Sequence, residues 1–185
     1  MTRRYYFPKA YADVVARLRV PCGFLLVAAF AWFSAPTMTS LAAGAVAALA
    51  GLLLRGWAAG HLDKNRALAT SGPYRFVRNP LYLGTLTVAA GLALASRRPA
   101  LAVLFAAVFL LIYLPVIEQE EQHLRNLFQD FETYAAAVPM LLPRPGYQGA
   151  GARFRWRLYF KNREYEAAAA LAAGLLFLYW KAAAR

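Results

Sequence analysis

The chain has 185 residues, 61% of them hydrophobic and only 16% charged, with a mean hydropathy of +0.39. A soluble domain of this length is nearer half apolar and a quarter charged, so the composition argues against a water-soluble globule and for a multi-pass membrane protein. The formal net charge of +12 raises nucleic acid as a partner, but the distribution of that charge, set out below, speaks against it.

The N-terminal segment is basic, with Arg3, Arg4, Lys9, Arg17 and Arg19. Within it YADVVARL puts Tyr11, Val14, Val15 and Leu18 on one helical face and Lys9, Asp13 and Arg17 elsewhere. That pattern suits an interfacial helix leading into the first span. A basic segment, an apolar run and then SAPT also resemble a secretory signal, but the length and amphipathic pattern of the basic part favour retention. Apolar runs follow at roughly 20–34, 38–56, 81–96, 99–117 and 166–180. Cys22, the single cysteine, lies in the first of them. It allows no disulfide within the chain and no thiolate metal cluster, and reads as a small packing residue.

SAPTMTS, between the first two runs, predicts a tight hairpin. After the second run comes RGWAAGHLDKN, with Gly56 and Gly60 at the spacing that permits close approach, and with Trp57, His61 and Lys64 on one face. His61 is thus a candidate ligand contact. Residues 72–84, GPYRFVRNPLYLG, crowd two arginines, an asparagine, two tyrosines and two prolines into a turn before the third run. Gly72-Pro73 and Asn79-Pro80 both mark turns, so Tyr74–Arg78 is expected to be non-helical, with Asn79 capping a helix that starts at Pro80. The helix-start amides together with Arg78 would suit a small anionic group. Arg75 and the tyrosines double as interfacial anchors.

The third run, Leu81 to Ala95, spans about 22 Å, short against a hydrocarbon core of about 30 Å. It turns at SRRP, where Pro99 suits the first turn of the next helix. Pro115, near the end of the fourth run, removes a backbone hydrogen bond, either as a tolerated membrane-helix proline or as a kink ahead of the acidic residues. There follows EQEEQHLRNLFQDF, residues 118–131. On one uninterrupted helix Ile117, Leu124, Leu127, Phe128 and Phe131 form an apolar stripe. Glu118, Gln122, Arg125 and Gln129 face solvent, Glu120 falls within the stripe and Glu121 at its edge. A carboxylate on a packing face needs a partner or a ligand. It is expected either to pair with Arg78 or Arg55 or to line a ligand site at the membrane–cytosol boundary. The remainder, 144–185, reads as a basic, aromatic loop and interfacial segment followed by a terminal helix.

Seventeen of the 21 lysines and arginines fall before the first run, in the second connection, or after the fourth run. Only Arg97, Arg98, Lys181 and Arg185 fall on the alternate side. A positive-inside bias with a cytoplasmic N-terminus therefore accounts for the charge, and no aromatic–basic nucleic-acid reader is evident. There is no phosphate-binding glycine loop. Two histidines, His61 and His123, are too few for a histidine-box di-iron centre, and no metal site is expected.

The order GPYRFVRNPLYLG, helical hairpin, EEQHLRNLFQDFETYAAAVPMLLP resembles the isoprenylcysteine carboxyl methyltransferase and phospholipid N-methyltransferase superfamily, over about residues 51–143. The chain length and the five apolar runs give one domain over 1–185 with about five membrane helices, and the resemblance implies an all-α, multi-pass helical bundle. It implies S-adenosylmethionine in a pocket at the cytosolic membrane face, without a Rossmann domain, and a lipid-like acceptor. By motif, Arg78, Asn79, Pro80, Tyr82 and Gly84 form the first cofactor-facing element, and Glu120 and Glu121 the second. On this reading Arg78 holds the cofactor carboxylate and the two glutamates engage its ammonium or ribose. Tyr74 and Tyr82 offer ring faces to the sulfonium, and His61 lies nearby as a contact or base. Two departures stand out. Asn79 replaces the histidine usual in carboxyl methyltransferases, and Ala137 stands where a second tyrosine follows Tyr134. The acceptor, a prenylcysteine-type carboxylate or a phospholipid amine, stays open. An NADPH-dependent sterol-type reductase and a non-enzymatic scaffold are the alternative readings.

Overall fold

A computed structural model describes residues 6–145, 147–149 and 151–184. Arg3, Arg4 and Arg185, part of the charge pattern above, lie outside the described residues. The regular elements are α1 (Lys9–Phe33), α2 (Met38–Ala59), a 3-10 turn (Gly72–Arg75), α3 (Pro80–Ser96), α4 (Pro99–Val108), a π turn (Phe109–Tyr113), α5 (Leu114–Leu127), α6 (Phe131–Ala137), α7 (Trp156–Lys161) and α8 (Glu164–Ala183). Among the described residues four runs are long and apolar enough to cross a membrane: α1, α2, the continuous stretch Pro99–Leu127, and α8; α3 is a shorter apolar helix. The protein is an all-α integral membrane bundle.

The tightest seam joins α2 to α3. Gly44, Ala48 and Gly51 of α2 meet Gly84, Gly91 and Ala95 of α3, and a Cβ on any of the four glycines would collide with the facing helix. Lipid tails are as apolar as leucine, so membrane helices gain most from backbones brought close together. These small residues supply that closeness. The Gly56/Gly60 pair read from the sequence instead faces the rings of Tyr159 and Phe154. Gly84, expected at the cofactor, belongs to the seam, packed on Gly51 and the stem of Arg55.

The amphipathic N-terminal segment and the first span form one unbroken helix, with Pro21 inside it. Its packed residues are Ala12 and Val15, while Val14 and Leu18 stay exposed. Tyr11 has a specific task across the bundle. Pro115 has no N–H, so the carbonyl four residues earlier, that of Leu111, loses its helical donor. The Tyr11 hydroxyl donates to that carbonyl at 2.6 Å. The wide turn Phe109–Tyr113 ends two positions before Pro115, and insertions of this kind recur at functional sites. Here it sets Tyr113 edge-on to Tyr82, ring centroids 6.2 Å apart.

The predicted hairpin is stapled by a capping box between Thr37 and Ser40. At the same end of the bundle Ala35 donates to the Ser96 carbonyl, and Lys181 of α8 donates to the carbonyls of Ala31 and Trp32. A cation is thereby placed on the negative end of α1. At the opposite end the Asn162 amide donates to the carbonyls of Ala59 and Leu62, which closes α2. Lys161 pairs with Asp63 at 2.6 Å and holds that carboxyl below its usual range. Trp156 and Phe160 remain exposed beside Arg153, Arg155 and Arg157, a composition suited to a membrane interface.

Candidate functional site

The turn at 72–79 is held by unlike devices at its two ends. Gly72 sits at φ +57, where a Cβ would run into the His61 ring, so only glycine fits. His61 Nδ1 lies 2.9 Å from Ser71 Oγ, and its ring packs edge-on to Trp57 and Phe154. Burial, then Arg155, lowers its pKa. His61 is thus a buttress behind the turn, away from the cavity described below. From Phe76 onward the backbone pairs with 139–144: Arg78 donates to the Pro139 carbonyl, Asn79 to Met140, and Arg144 back to Phe76. The terminal proline segment of the motif therefore splints its opening turn.

Asn79 occupies the cap position of α3, but its side chain makes no cap hydrogen bond. It turns away because a stronger acceptor is within reach: its amide donates to Glu121 Oε1 at 2.8 Å. Arg78 grips the same carboxylate in a fork, Nε to Oε1 at 2.8 Å and Nη2 to Oε2 at 3.0 Å. Its Nη1 donates to the carbonyls of Ala135 and Val138. Four of the five guanidinium N–H groups are so committed, and both side chains are almost wholly buried. The pair welds the turn to α5 and α6.

The acidic run points in every direction. Successive helical residues turn by about 100°, so EQEE sweeps most of a circle. Glu118, expected to face solvent, is buried and accepts the backbone N–H of Tyr6 (2.7 Å) and Phe7 (3.1 Å). Gln119 donates to Asp13 of α1. Glu120, expected within the packed stripe, is 42% exposed and meets Arg19 at 3.7 Å. Glu121 is buried against Arg78. The stripe was drawn on one helix through Phe131, but α5 ends at Phe128 in extended backbone, and Phe131 starts a new helix. Leu127, assigned to the stripe, is 43% exposed. The expected Arg55 pairing also differs. Arg55 forks onto Glu164, Nε to Oε1 at 2.5 Å and Nη2 to Oε2 at 3.1 Å, and thereby docks α8 on α2.

Between these elements lies a cavity of about 450 Å³. Of the predicted residues it gathers Tyr74, Arg78, Asn79, Pro80, Tyr82, Glu120 and Glu121, and leaves out His61 and Gly84. Tyr74 is buried, and its carbonyl accepts from the Tyr134 hydroxyl at 2.8 Å. Burial pushes both phenols upward, so they stay neutral. Tyr147 packs edge-on to Tyr134, centroids 5.5 Å apart. Residues that sequence reasoning passed over also line the cavity: Arg19, Asn65, Thr85, Tyr113 and His123. Lys64, read only as part of a helical face, joins them. The proline two positions beyond Tyr113 was the available signal for one of them.

A second, mostly apolar cavity of about 740 Å³ lies among α1, α3, α4 and α8. Arg19, Thr85 and Tyr113 line both cavities. Among the described residues no group of three or more histidine, cysteine, aspartate or glutamate side chains could hold a metal.

An integral membrane helical bundle with a polar cavity at one end, abutting an apolar one, is the class that fold and site define. The chain belongs to the phospholipid methyltransferase family, which matches residues 18–130. It is 34% identical over 115 residues to a nickel-cobalt-cadmium resistance protein, NccN, of Alcaligenes xylosoxydans xylosoxydans, covering 61% of this chain and 53% of that one. To the cobalt-zinc-cadmium resistance protein CzcN of Cupriavidus metallidurans it is 38% identical over 81 residues, 44% of this chain and 38% of the relative. To the protein-S-isoprenylcysteine O-methyltransferase of Schizosaccharomyces pombe it is 28% identical over 141 residues, 73% and 59%. The chain thus spans between 38% and 59% of the length of these relatives. No solved structure matches.

Proposed function

We propose that the protein transfers a methyl group from S-adenosylmethionine to a lipid-like acceptor that enters from the bilayer, with the N-terminus and the polar cavity on the cytoplasmic side. One observation carries the reading: in a chain of this family, a polar cavity and an apolar cavity share the residues Arg19, Thr85 and Tyr113. The first has the size range of small-ligand sites, and the second is lined as a hydrocarbon tail requires. Arg19, Arg55, Lys64 and Arg78 line the polar cavity, and Arg97, Arg98 and Lys181 lie toward the other end of the bundle, which supports this orientation under the positive-inside rule.

The donor set suits the cofactor. Glu120 is a half-exposed carboxylate, 3.7 Å from Arg19 and close to the Tyr82 hydroxyl, and would engage an ammonium or ribose hydroxyls. The faces of Tyr82 and Tyr113 offer a seat for a sulfonium. Arg78 is too committed to act as an open fork for the cofactor carboxylate, so Lys64, which has no partner among the described residues, is the better candidate for that group. Arg78, Asn79 and Glu121 hold the walls in place. When bound, the cofactor supplies an electrophilic methyl on positively charged sulfur. The chain supplies alignment and exclusion of water, which can account for about 7–11 kcal/mol of barrier lowering in such transfers.

Purified protein in lipid nanodiscs, titrated with S-adenosylmethionine and separately with NADPH, tests this. Wild type is expected to bind the first and not the second, and Glu120→Gln to bind the first at least tenfold more weakly. A wild type that binds no S-adenosylmethionine ends the proposal. Binding that survives Glu120→Gln ends only the assignment of that residue.

A further inference from the structure

Three cation–carboxylate pairs lie around the polar cavity, and one of them is unlike the others. Arg78–Glu121 and Arg55–Glu164 are short, two-pronged and buried on the carboxylate side. Arg19–Glu120 is a single approach of 3.7 Å between side chains that are 41% and 42% exposed. Arg19 is also the only charged side chain among the described residues that line both cavities. Its guanidinium therefore stands where the head of an amphiphile would come to rest with its tail in the apolar cavity.

Resting on the methyltransferase reading above, we propose that Arg19 selects the acceptor: it holds an anionic carboxylate head at the mouth of the apolar cavity, and the product is a methyl ester. A carboxylate brought to membrane depth is costly unless paired, and arginine presents a fork that matches it. An amine acceptor meets the opposite situation. It arrives as an ammonium, is repelled by Arg19, and must lose a proton before it can attack. The carboxylate nearest that junction, Glu120, already faces Arg19. A carboxylate needs no base. One of its oxygens shares a lone pair with the methyl carbon, forming the C–O bond as the C–S bond breaks. The electron pair of that bond stays on sulfur, the sulfonium becomes a neutral thioether, and no proton is released.

The Tyr82 hydroxyl lies close to both Arg19 and Glu120, and the Tyr113 ring stands edge-on to it. Tyr82 lines the polar cavity and Tyr113 lines both. Thr85 is tied elsewhere, donating to the Leu81 carbonyl and accepting from Arg55. Arg19 is thus the charged member of the shared set, held by the loose approach to Glu120 and by the nearby Tyr82 hydroxyl.

The test uses the full chain in phosphatidylcholine nanodiscs. Binding of three single-chain amphiphiles is measured without cofactor: a prenylthio-carboxylate, a fatty-acid carboxylate, and the primary amide matching the first. Wild type is expected to bind a carboxylate at least tenfold more tightly than the amide, and the two carboxylates distinguish a prenylated source from an acyl one. Arg19→Gln is expected to lose that preference and Arg19→Lys to recover part of it, while the thermal unfolding transition keeps its wild-type position and reports an intact fold. In turnover, Arg19→Gln raises KM for the carboxylate tenfold or more. A preference that persists in Arg19→Gln overturns the proposal, as does methyl transfer to phosphatidylethanolamine in preference to either carboxylate. Wild type that binds the carboxylate through Arg19 but no S-adenosylhomocysteine sinks the methyltransferase reading and leaves the anion site standing.

Discussion

Glu120 and Glu121 are neighbours on one helix, yet they live in different worlds. Glu121 is buried, gripped by both prongs of Arg78 and by the amide of Asn79. Glu120, one residue earlier and rotated by about 100°, looks into a cavity, with an arginine nearly 4 Å away and water within reach. The first arrangement resists change, because removing either partner strands a charge in a low-dielectric interior. The second costs little to rearrange, since half-exposed ion pairs contribute about 0–1 kcal/mol. In a site that must admit a charged ligand, the loose pair can exchange partners and the tight pair keeps the walls still. Proximity in sequence says nothing of this division; the direction each side chain takes from the helix decides it.

Breaking the tight pair has the largest expected effect. Arg78→Ala leaves Glu121 buried without its partner and should destabilise the fold by about 3–5 kcal/mol, measured as loss of the thermal transition in detergent. A wild-type transition in that variant would falsify the structural role of the pair. Glu120→Gln is the matching experiment on the loose pair. Its stability should stay within about 1 kcal/mol of wild type, while donor affinity drops at least tenfold, about 1.4 kcal/mol. Equal losses of stability in the two variants would erase the distinction.

A smaller effect is expected where α1 meets the wide turn. Tyr11→Phe leaves the Leu111 carbonyl without the donor that replaces the missing Pro115 N–H. The expected cost is about 1 kcal/mol, with a local rise in hydrogen exchange around Phe109–Tyr113. Unchanged exchange there would show that the tyrosine does not hold the turn. The smallest effect concerns His61 behind the 72–79 turn. Its lowered pKa, from burial first and Arg155 second, means the folded state prefers the neutral ring. The unfolded chain then binds the proton more readily, so stability is full above about pH 6.5 and declines as pH falls through the interval below it. Unfolding midpoints taken from about pH 8 to pH 5 should show that decline in wild type, and a flatter profile in His61→Asn.

Much of the molecule is legible in the chain. Long apolar runs with few charges dictate membrane helices, because an unsatisfied backbone in hydrocarbon is prohibitively costly. Paired Gly-Pro and Asn-Pro signals dictate the turn at 72–79, because proline restricts the residue before it. The partner of each charge is not legible in the same way. The helical projection put Glu120 inside and Glu118 outside, and the structure reverses both. Which face of α5 is covered depends on α1 packing there, some 100 residues away in sequence. Asn79 abandons its cap for the same reason: a carboxylate from α5 arrives within 2.8 Å. The segment 139–144 splints the turn through backbone groups that carry no residue signature.

From sequence alone come the class of protein, the main apolar helices, and a short list of polar residues that have to be accounted for. Only the tertiary structure sorted that list. It set Arg78, Asn79 and Glu121 as the frame, moved His61 and Gly84 behind it, and brought Arg19 and Tyr113 into the cavity. The physical reason is that periodicity reports how far around a helix a residue points, whereas burial, pairing and access depend on which other helix occupies that direction.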